Sequence, residues 1–207
     1  MATSDVHDLL IATTNAGKMR ELTNLLSGFP LRLRSLSEFP SIEEVAETGR
    51  TFAENATLKA RQYGCRTNLW TLADDSGLEV DALGGAPGVR SARYGGAKLT
   101  SEERNALLLS ALKSTADKRR SARFICVVAL FEPETGVAIK LFTGTCEGHL
   151  SNDPRGNNGF GYDPVFVPSG YDCTFAELPD EIKAQISHRG QALAAVRSYL
   201  NGRFLQP

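Results

Sequence analysis

Apolar residues arrive along this chain in two alternating patterns, short bulky runs and stripes at helical spacing. Leu9-Leu10-Ile11-Ala12 is a run bounded by polar residues, and it predicts a buried first strand. Met19, Leu22, Leu25, Leu26 and Phe29 then fall on one helical face. Residues 31–36 alternate apolar with polar or basic side chains, the period of a half-exposed strand. Residues 37–50 carry mixed charge without a period and read as a loop. Thr51 with Glu54 three residues on has the form of a capping box, opening a helix to about Cys65. Residues 69–73 predict a second buried strand and residues 78–83 a further one, with Asp74-Asp75-Ser76-Gly77 as the turn at the strand end. Gly84-Gly85-Ala86-Pro87-Gly88 reads as a loop. Thr100 and Glu103 repeat the capping signature before a helix to about Lys113. Residues 123–131 and 137–145 look like an antiparallel pair joined by Glu132-Pro133-Glu134-Thr135-Gly136. Residues 151–163 are too rich in glycine and asparagine for either element, residues 164–167 form a short strand, and Ala192, Leu193, Val196 and Leu200 mark a C-terminal helix. Strands alternating with helices, then a hairpin, predict an α/β fold with a mixed sheet.

Bulk properties narrow the function classes. The 207 residues, 42% of them hydrophobic, suffice for one large domain or two fused lobes, and a single domain over residues 1–207 is expected. Net charge is −1, so no global field favours nucleic acid or an anionic membrane, and neither is expected as a partner. Four scattered cysteines include no C-x-x-C pair, and Cys126 sits in an apolar run, so a reducing compartment is expected. The polar, acidic start of the chain is followed by no signal peptide or spanning helix, and the expectation is a cytoplasmic protein.

Candidate chemistry gathers in four segments. Asp74 and Asp75 are adjacent carboxylates that repel one another unless a cation is near. A divalent hard ion such as Mg²⁺ suits one or two carboxylates plus phosphate oxygens. Thr13-Thr14-Asn15-Ala16-Gly17-Lys18 joins the first strand to the first helix, where free N–H groups and the helix dipole favour an anion. It is not a Walker A loop, since Ala12 and Met19 stand where glycine and Ser or Thr would be needed. An ordinary helix capped by Asn15 reads equally well. Glu47 precedes a helix on which Asn55 and Lys59 share a face. Phe160 lies between glycines in a loop that also holds Gly161, Tyr162 and Asp163, a place where an aromatic ring stacks on a flat ligand. Lys183, His188 and Arg189 put three potential cations just before the last helix.

Five stretches, in order, cover nearly the whole chain: ATTNAGKMREL, ETGRTFAENATLKA, ADDSGLEVDALGGAPGVRSARY, GNNGFGYDPVF and ISHRGQAL. Together they resemble the inosine triphosphate pyrophosphatase family, and most closely its bacterial dITP/XTP pyrophosphatase branch. The resemblance implies a homodimer of elongated α/β protomers, each with a long mixed sheet, flanking helices and two lobes around a central cleft. It implies Mg²⁺-dependent hydrolysis of non-canonical purine nucleoside triphosphates to a nucleoside monophosphate and pyrophosphate, which cleanses the nucleotide pool. By the same resemblance residues 13–18 bind phosphate, Asp75 is catalytic and a metal ligand, Glu47 is the second metal residue, and Ser76 touches substrate. Phe160, Gly161, Tyr162, Asp163, Lys183, His188 and Arg189 form the base pocket. Glu54 and Lys59 support metal and triphosphate. Two positions depart from the family pattern: Ile182, where glutamate is usual, and Asn158, where glycine is usual.

Overall fold

The computed structural model describes residues 7–114, 119–135 and 139–204. The chain opens with β1 (His7–Ile11), α1 (Ala16–Leu25), β2 (Leu31–Ser35), α2 (Phe52–Thr67) and β3 (Trp70–Val80). It continues with α3 (Ser101–Ser114), β4 (Ser121–Phe131), β5 (Ile139–Leu150), β6 (Phe166–Pro168), α4 (Asp180–Ile186) and α5 (His188–Phe204). All six strands form one sheet in the order β2-β1-β3-β4-β5-β6. β1 pairs in parallel with β2 and with β3, and β5 pairs antiparallel with β6. The expected mixed sheet with flanking helices is what the chain forms. β4 and β5 are sheet neighbours, as the hairpin pattern indicated; residues 136–138 of that pattern lie outside the described residues.

Two compact units divide the chain. One comprises Met1–Asp75, Val127–Thr143 and Ala192–Pro207, the other Ser76–Cys126 and Gly144–Gln191. In the first, the chain leaves β1 for β2 on one side and returns to β3 on the other. Right-handed crossovers in opposite directions put α1 and α2 on opposite faces of these strands. A topological switch point therefore lies at the C-terminal end of β1, the usual ligand position in such sheets. The turn after β1 occupies it, with the Ala12 N–H donating to the Leu72 carbonyl of β3 at 2.8 Å. Leu9, Leu10, Ile11, Ala56, Ala60 and Leu72 are fully buried around it. α2 starts where the capping signature puts it: the Thr51 side chain accepts from the Glu54 N–H at 3.1 Å. It ends at Asn68, which adopts the left-handed conformation.

The second unit has its own core, built from Leu78, Val80, Leu108, Phe124, Phe166 and Phe175 among others. α3 carries the reciprocal cap in full, Thr100 N–H to Glu103 Oε2 and Glu103 N–H to Thr100 Oγ1. Among the described residues no helix is long and apolar enough to cross a membrane.

Four local expectations are corrected. Asp74-Asp75-Ser76-Gly77 is no turn: β3 runs unbroken from Trp70 to Val80, and the predicted strand at 78–83 gives way to a 3-10 turn at Asp81–Leu83. Gly77 serves close approach, since a Cβ there would lie 2.4 Å from Ser91 Oγ and 2.5 Å from the Gly88 carbonyl oxygen. His188 and Arg189 stand in the first turn of α5, not before it, and Lys183 belongs to the separate seven-residue α4. The short strand at 164–167 is displaced to Phe166–Pro168 by a 3-10 turn at Asp163–Val165.

Candidate active site

The first unit gathers carboxylates and lysines where β3 passes the switch point. Side chains alternate along a strand, so Asp74 and Asp75 face opposite ways. Their partners differ accordingly. Asp74 meets Lys18 of α1, with Nζ to Oδ2 at 2.9 Å. Asp75 meets Asn55 of α2, whose Nδ2 donates to Oδ2 at 2.9 Å. Adjacent carboxylates are thus tolerated by divergence as much as by cations. Lys59, one turn beyond Asn55, donates to Glu47 Oε1 at 2.5 Å and to the Asp74 carbonyl at 2.7 Å. Burial alone would lower the Lys59 ammonium, yet Asp74, Asp75 and Glu47 together hold its pKa above the ordinary value. Burial raises the Asp75 carboxyl above its ordinary value; Lys59, Asn55 and Lys18 oppose that rise and Glu47 adds to it. Glu47 and Asp75, from separate segments, therefore act electrostatically on each other and on one ammonium.

The turn after β1 forms the ordinary helix cap that one reading of the sequence expects. Asn15 caps α1, its Oδ1 accepting from the Lys18 N–H at 3.0 Å, and its own N–H donates to Thr13 Oγ1 at 3.2 Å. Ala16 and Gly17 form the first turn of α1, and Thr14 is exposed. A cavity of about 460 Å³ opens against Thr13, Thr14, Asn15 and Ala16, with Ser35, Ser37, Phe39 and Tyr63 on its other walls. Glu54 lies apart in role: its carboxylate accepts from the Arg50 N–H at the start of α2. Among the described residues no three His, Cys, Asp or Glu side chains come together as a metal cage.

The second unit gathers buried cations around an aromatic ring. Lys183, His188, Arg189 and Asp163 are each at most 6% exposed. Lys183 Nζ donates to Asp163 Oδ2 at 2.7 Å and lies 5.1 Å from the Phe160 ring centroid. The Arg189 guanidinium lies 5.7 Å from the same centroid and donates to Ser76 Oγ at 2.9 Å. The His188 ring stacks on Phe124 at 4.6 Å. Phe160, Asp163, Lys183, Arg189 and Ser76 are thus brought together in contact.

Asp163 and Tyr162 have internal duties as well. Asp163 Oδ2 also accepts from the Phe160 N–H at 2.7 Å. The Tyr162 hydroxyl donates to the Ser91 carbonyl at 2.9 Å, and burial raises its pKa well above the ordinary phenol value. Gly161 offers its carbonyl to Asn105 Nδ2. Of the two departures from the family pattern, Asn158 ties its loop down, donating through N to Ala176 O and through Nδ2 to Leu178 O. Ile182 packs on the core of this unit. Asn55 emerges as a partner of Asp75; its only sequence signal was the face it shares with Lys59. Ser91, Asn105 and Phe124 gave no signal, because their partners Leu78, Gly161 and His188 lie at least 13 positions away.

A model of the Ham1 family matches residues 9–199. A Geobacter sulfurreducens protein named dITP/XTP pyrophosphatase is 49% identical over 192 residues, 93% of this chain and 96% of its own. Among solved structures, a HAM1 protein from Coxiella burnetii matches with a TM-score of 0.88 at 43% identity, over 95% of this chain and 99% of its own. The Ham1 protein of Staphylococcus aureus matches with a TM-score of 0.84 at 39% identity over the same shares.

Proposed function

The chain belongs to the Ham1 family, and on that footing we propose that it is a nucleoside triphosphate pyrophosphatase acting on non-canonical purine nucleotides. Its substrates in this reading are dITP, ITP and XTP, and its products a nucleoside monophosphate and pyrophosphate. The relatives that match nearly end to end and carry the name dITP/XTP pyrophosphatase support it. So does the sorting of side chains: carboxylates and lysines in the first unit suit a polyphosphate, and buried donors around Phe160 in the second suit a purine.

The buried Lys183–Asp163 pair beside Arg189 and Phe160 is the observation that carries the base assignment. Lysine and arginine donate and never accept. Hypoxanthine and xanthine present an oxygen at C6, an acceptor, whereas adenine presents a donating amino group there. A site that spends buried donors on one group rejects the mismatched one by roughly 10⁴-fold or more. Phe160 supplies the stacking face.

Mg²⁺ fits the first cluster. Glu47 and Asp75 are hard oxygen donors that act electrostatically on each other, and Mg²⁺ takes one or two carboxylates and completes its shell with water and phosphate. Glu47 and Asp75 would hold it. When bound, the ion neutralises phosphate charge and favours departure of pyrophosphate. Lys18 and the turn at residues 13–17 bind the phosphates by donation and by the helix dipole. Asp75, fixed by Asn55, orients the attacking water. Lys59 holds Glu47 in place. The family resemblance also carries a homodimer and a cytoplasmic location into the proposal.

Product identity tests the reaction. With ITP and Mg²⁺, ³¹P NMR should show pyrophosphate and IMP, with turnover abolished by chelation. Inorganic phosphate and IDP would overturn the cleavage site, and turnover undiminished in excess chelator would overturn the metal.

A further inference from the structure

Asn105 lies outside both clusters, yet it holds the loop that carries Phe160. It sits on α3, is 2% exposed, and donates through Nδ2 to the Gly161 carbonyl at 3.0 Å. Its Oδ1 is buried and has no hydrogen-bond partner within the described residues. A buried acceptor left unsatisfied is destabilising, and a leucine of similar volume would bury none. Packing alone therefore gives no reason for an amide here. Its bond to Gly161 does.

The loop needs that bond. Gly159 and Gly161 flank Phe160 with φ of 75° and 65°, in the left-handed region. Glycines leave the torsions on either side of the ring free of side-chain restraint. Besides backbone bonds to the Phe160 and Tyr162 carbonyls, side chains restrain the segment at successive residues: Phe160 N–H to Asp163, Asn105 to the Gly161 carbonyl, and the Tyr162 hydroxyl to Ser91. Within this set the Phe160 ring rests against Lys183 at 5.1 Å and Arg189 at 5.7 Å.

We propose that Asn105 is a positioning residue for base selectivity: by holding the Gly161 carbonyl it keeps the Phe160 ring in register with Lys183 and Arg189. The inference rests on the base assignment made above. Without the amide the loop loses its hold one residue from Phe160. A purine whose C6 oxygen uses the buried donors then loses its advantage. Adenine, which does not use them, is little affected.

The test is Asn105→Leu in the full chain, with kcat and KM measured for ITP and ATP and Tm measured alongside. The ITP to ATP ratio of kcat/KM should fall about tenfold, through a higher KM for ITP, with kcat for ITP within about twofold of wild type. Tm should stay within about 2 °C of wild type, because removing the buried unpaired Oδ1 offsets the loss of the Gly161 carbonyl's donor. Asn105→Ala, which loses the donor without adding bulk, should shift the ratio in the same direction and serves if the leucine variant does not fold. An unchanged ratio in either folded variant overturns the inference. Equal losses for both nucleotides with a lowered Tm also overturn it, since that is the mark of a packing role. A wild type with no preference for ITP over ATP overturns the functional reading itself, and this inference with it.

Discussion

Asp75 owes its character to three neighbours acting against its burial. Desolvation raises its carboxyl, Lys59, Asn55 and Lys18 pull it back, and the Asn55 amide fixes which oxygen is engaged. Asp75→Asn keeps that shape and removes the charge. Turnover of ITP should drop at least about 100-fold while the dissociation constant for the nucleotide stays within a few-fold; kcat near the wild-type value would remove Asp75 from the reaction. Arg189 belongs to the proposed base pocket of the second unit. Arg189→Ala should lower kcat/KM for ITP by about 10–100-fold, the range of a lost charged hydrogen bond, and leave ATP nearly unchanged. Parallel losses for the two nucleotides would assign Arg189 to packing. Residue identities were legible in the sequence, but pairings were not. Lys183 and Asp163 are 20 positions apart, and no local spacing says that a buried ammonium will meet that carboxylate.

β3 shows where element-level reading succeeds and where it stops. Its apolar start is plain, because bulky residues bounded by polar ones have few other uses. Its continuation through Asp-Asp-Ser-Gly is not, because that composition is the usual one for a turn. The strand persists because Leu78 N–H finds Ser91 Oγ at 2.9 Å and because Gly77 admits the Gly88 carbonyl. Gly77→Ala should therefore cost about 1–3 kcal/mol in urea unfolding, by overpacking against Ser91 and Gly88; an unaltered midpoint would show that the neighbours yield freely. The capped starts of α2 and α3 were legible for the opposite reason: a Thr and a Glu three residues later form their capping bonds within a few residues of chain. α4 escaped notice because seven residues carry too short a stripe to read.

α5 offers a pH-dependent test. The Tyr199 hydroxyl donates to the buried Glu132 carboxylate at 2.5 Å, and burial, then that bond and charge, push its pKa up to about 12. An unfolded tyrosine titrates near about 10. The folded pKa is raised, so the stabilisation is complete below about pH 10 and is lost as pH rises from about 10 to 12. Tyr199→Phe should lower the urea midpoint at pH 8 and flatten its decline across that alkaline window. A decline as steep as that of the wild type would assign the alkaline transition to other groups.

For the molecule as a whole, a net charge of −1 leaves attraction of a triphosphate to local groups. In the first unit Lys18 and Lys59 supply them beside the carboxylates Glu47 and Asp75, and in the second Ser76, Phe160, Lys183 and Arg189 form a separate group. Asp75 is the last residue of one unit's opening segment and Ser76 the first of the other, so a single strand contributes to both groups. The α/β class and the parallel start of the sheet were legible because hydrophobic period and crossover rules are local or topological. The electrostatic balance at Lys59 was not, because it depends on three carboxylates whose distances only the fold sets. The account is tested most directly by kcat/KM for ITP, XTP, ATP and GTP at fixed Mg²⁺, each scored by pyrophosphate released. It predicts ITP and XTP ahead of ATP by roughly 10⁴-fold, the discrimination that buried donors impose on a mismatched group. Equal values for ITP and ATP would contradict it.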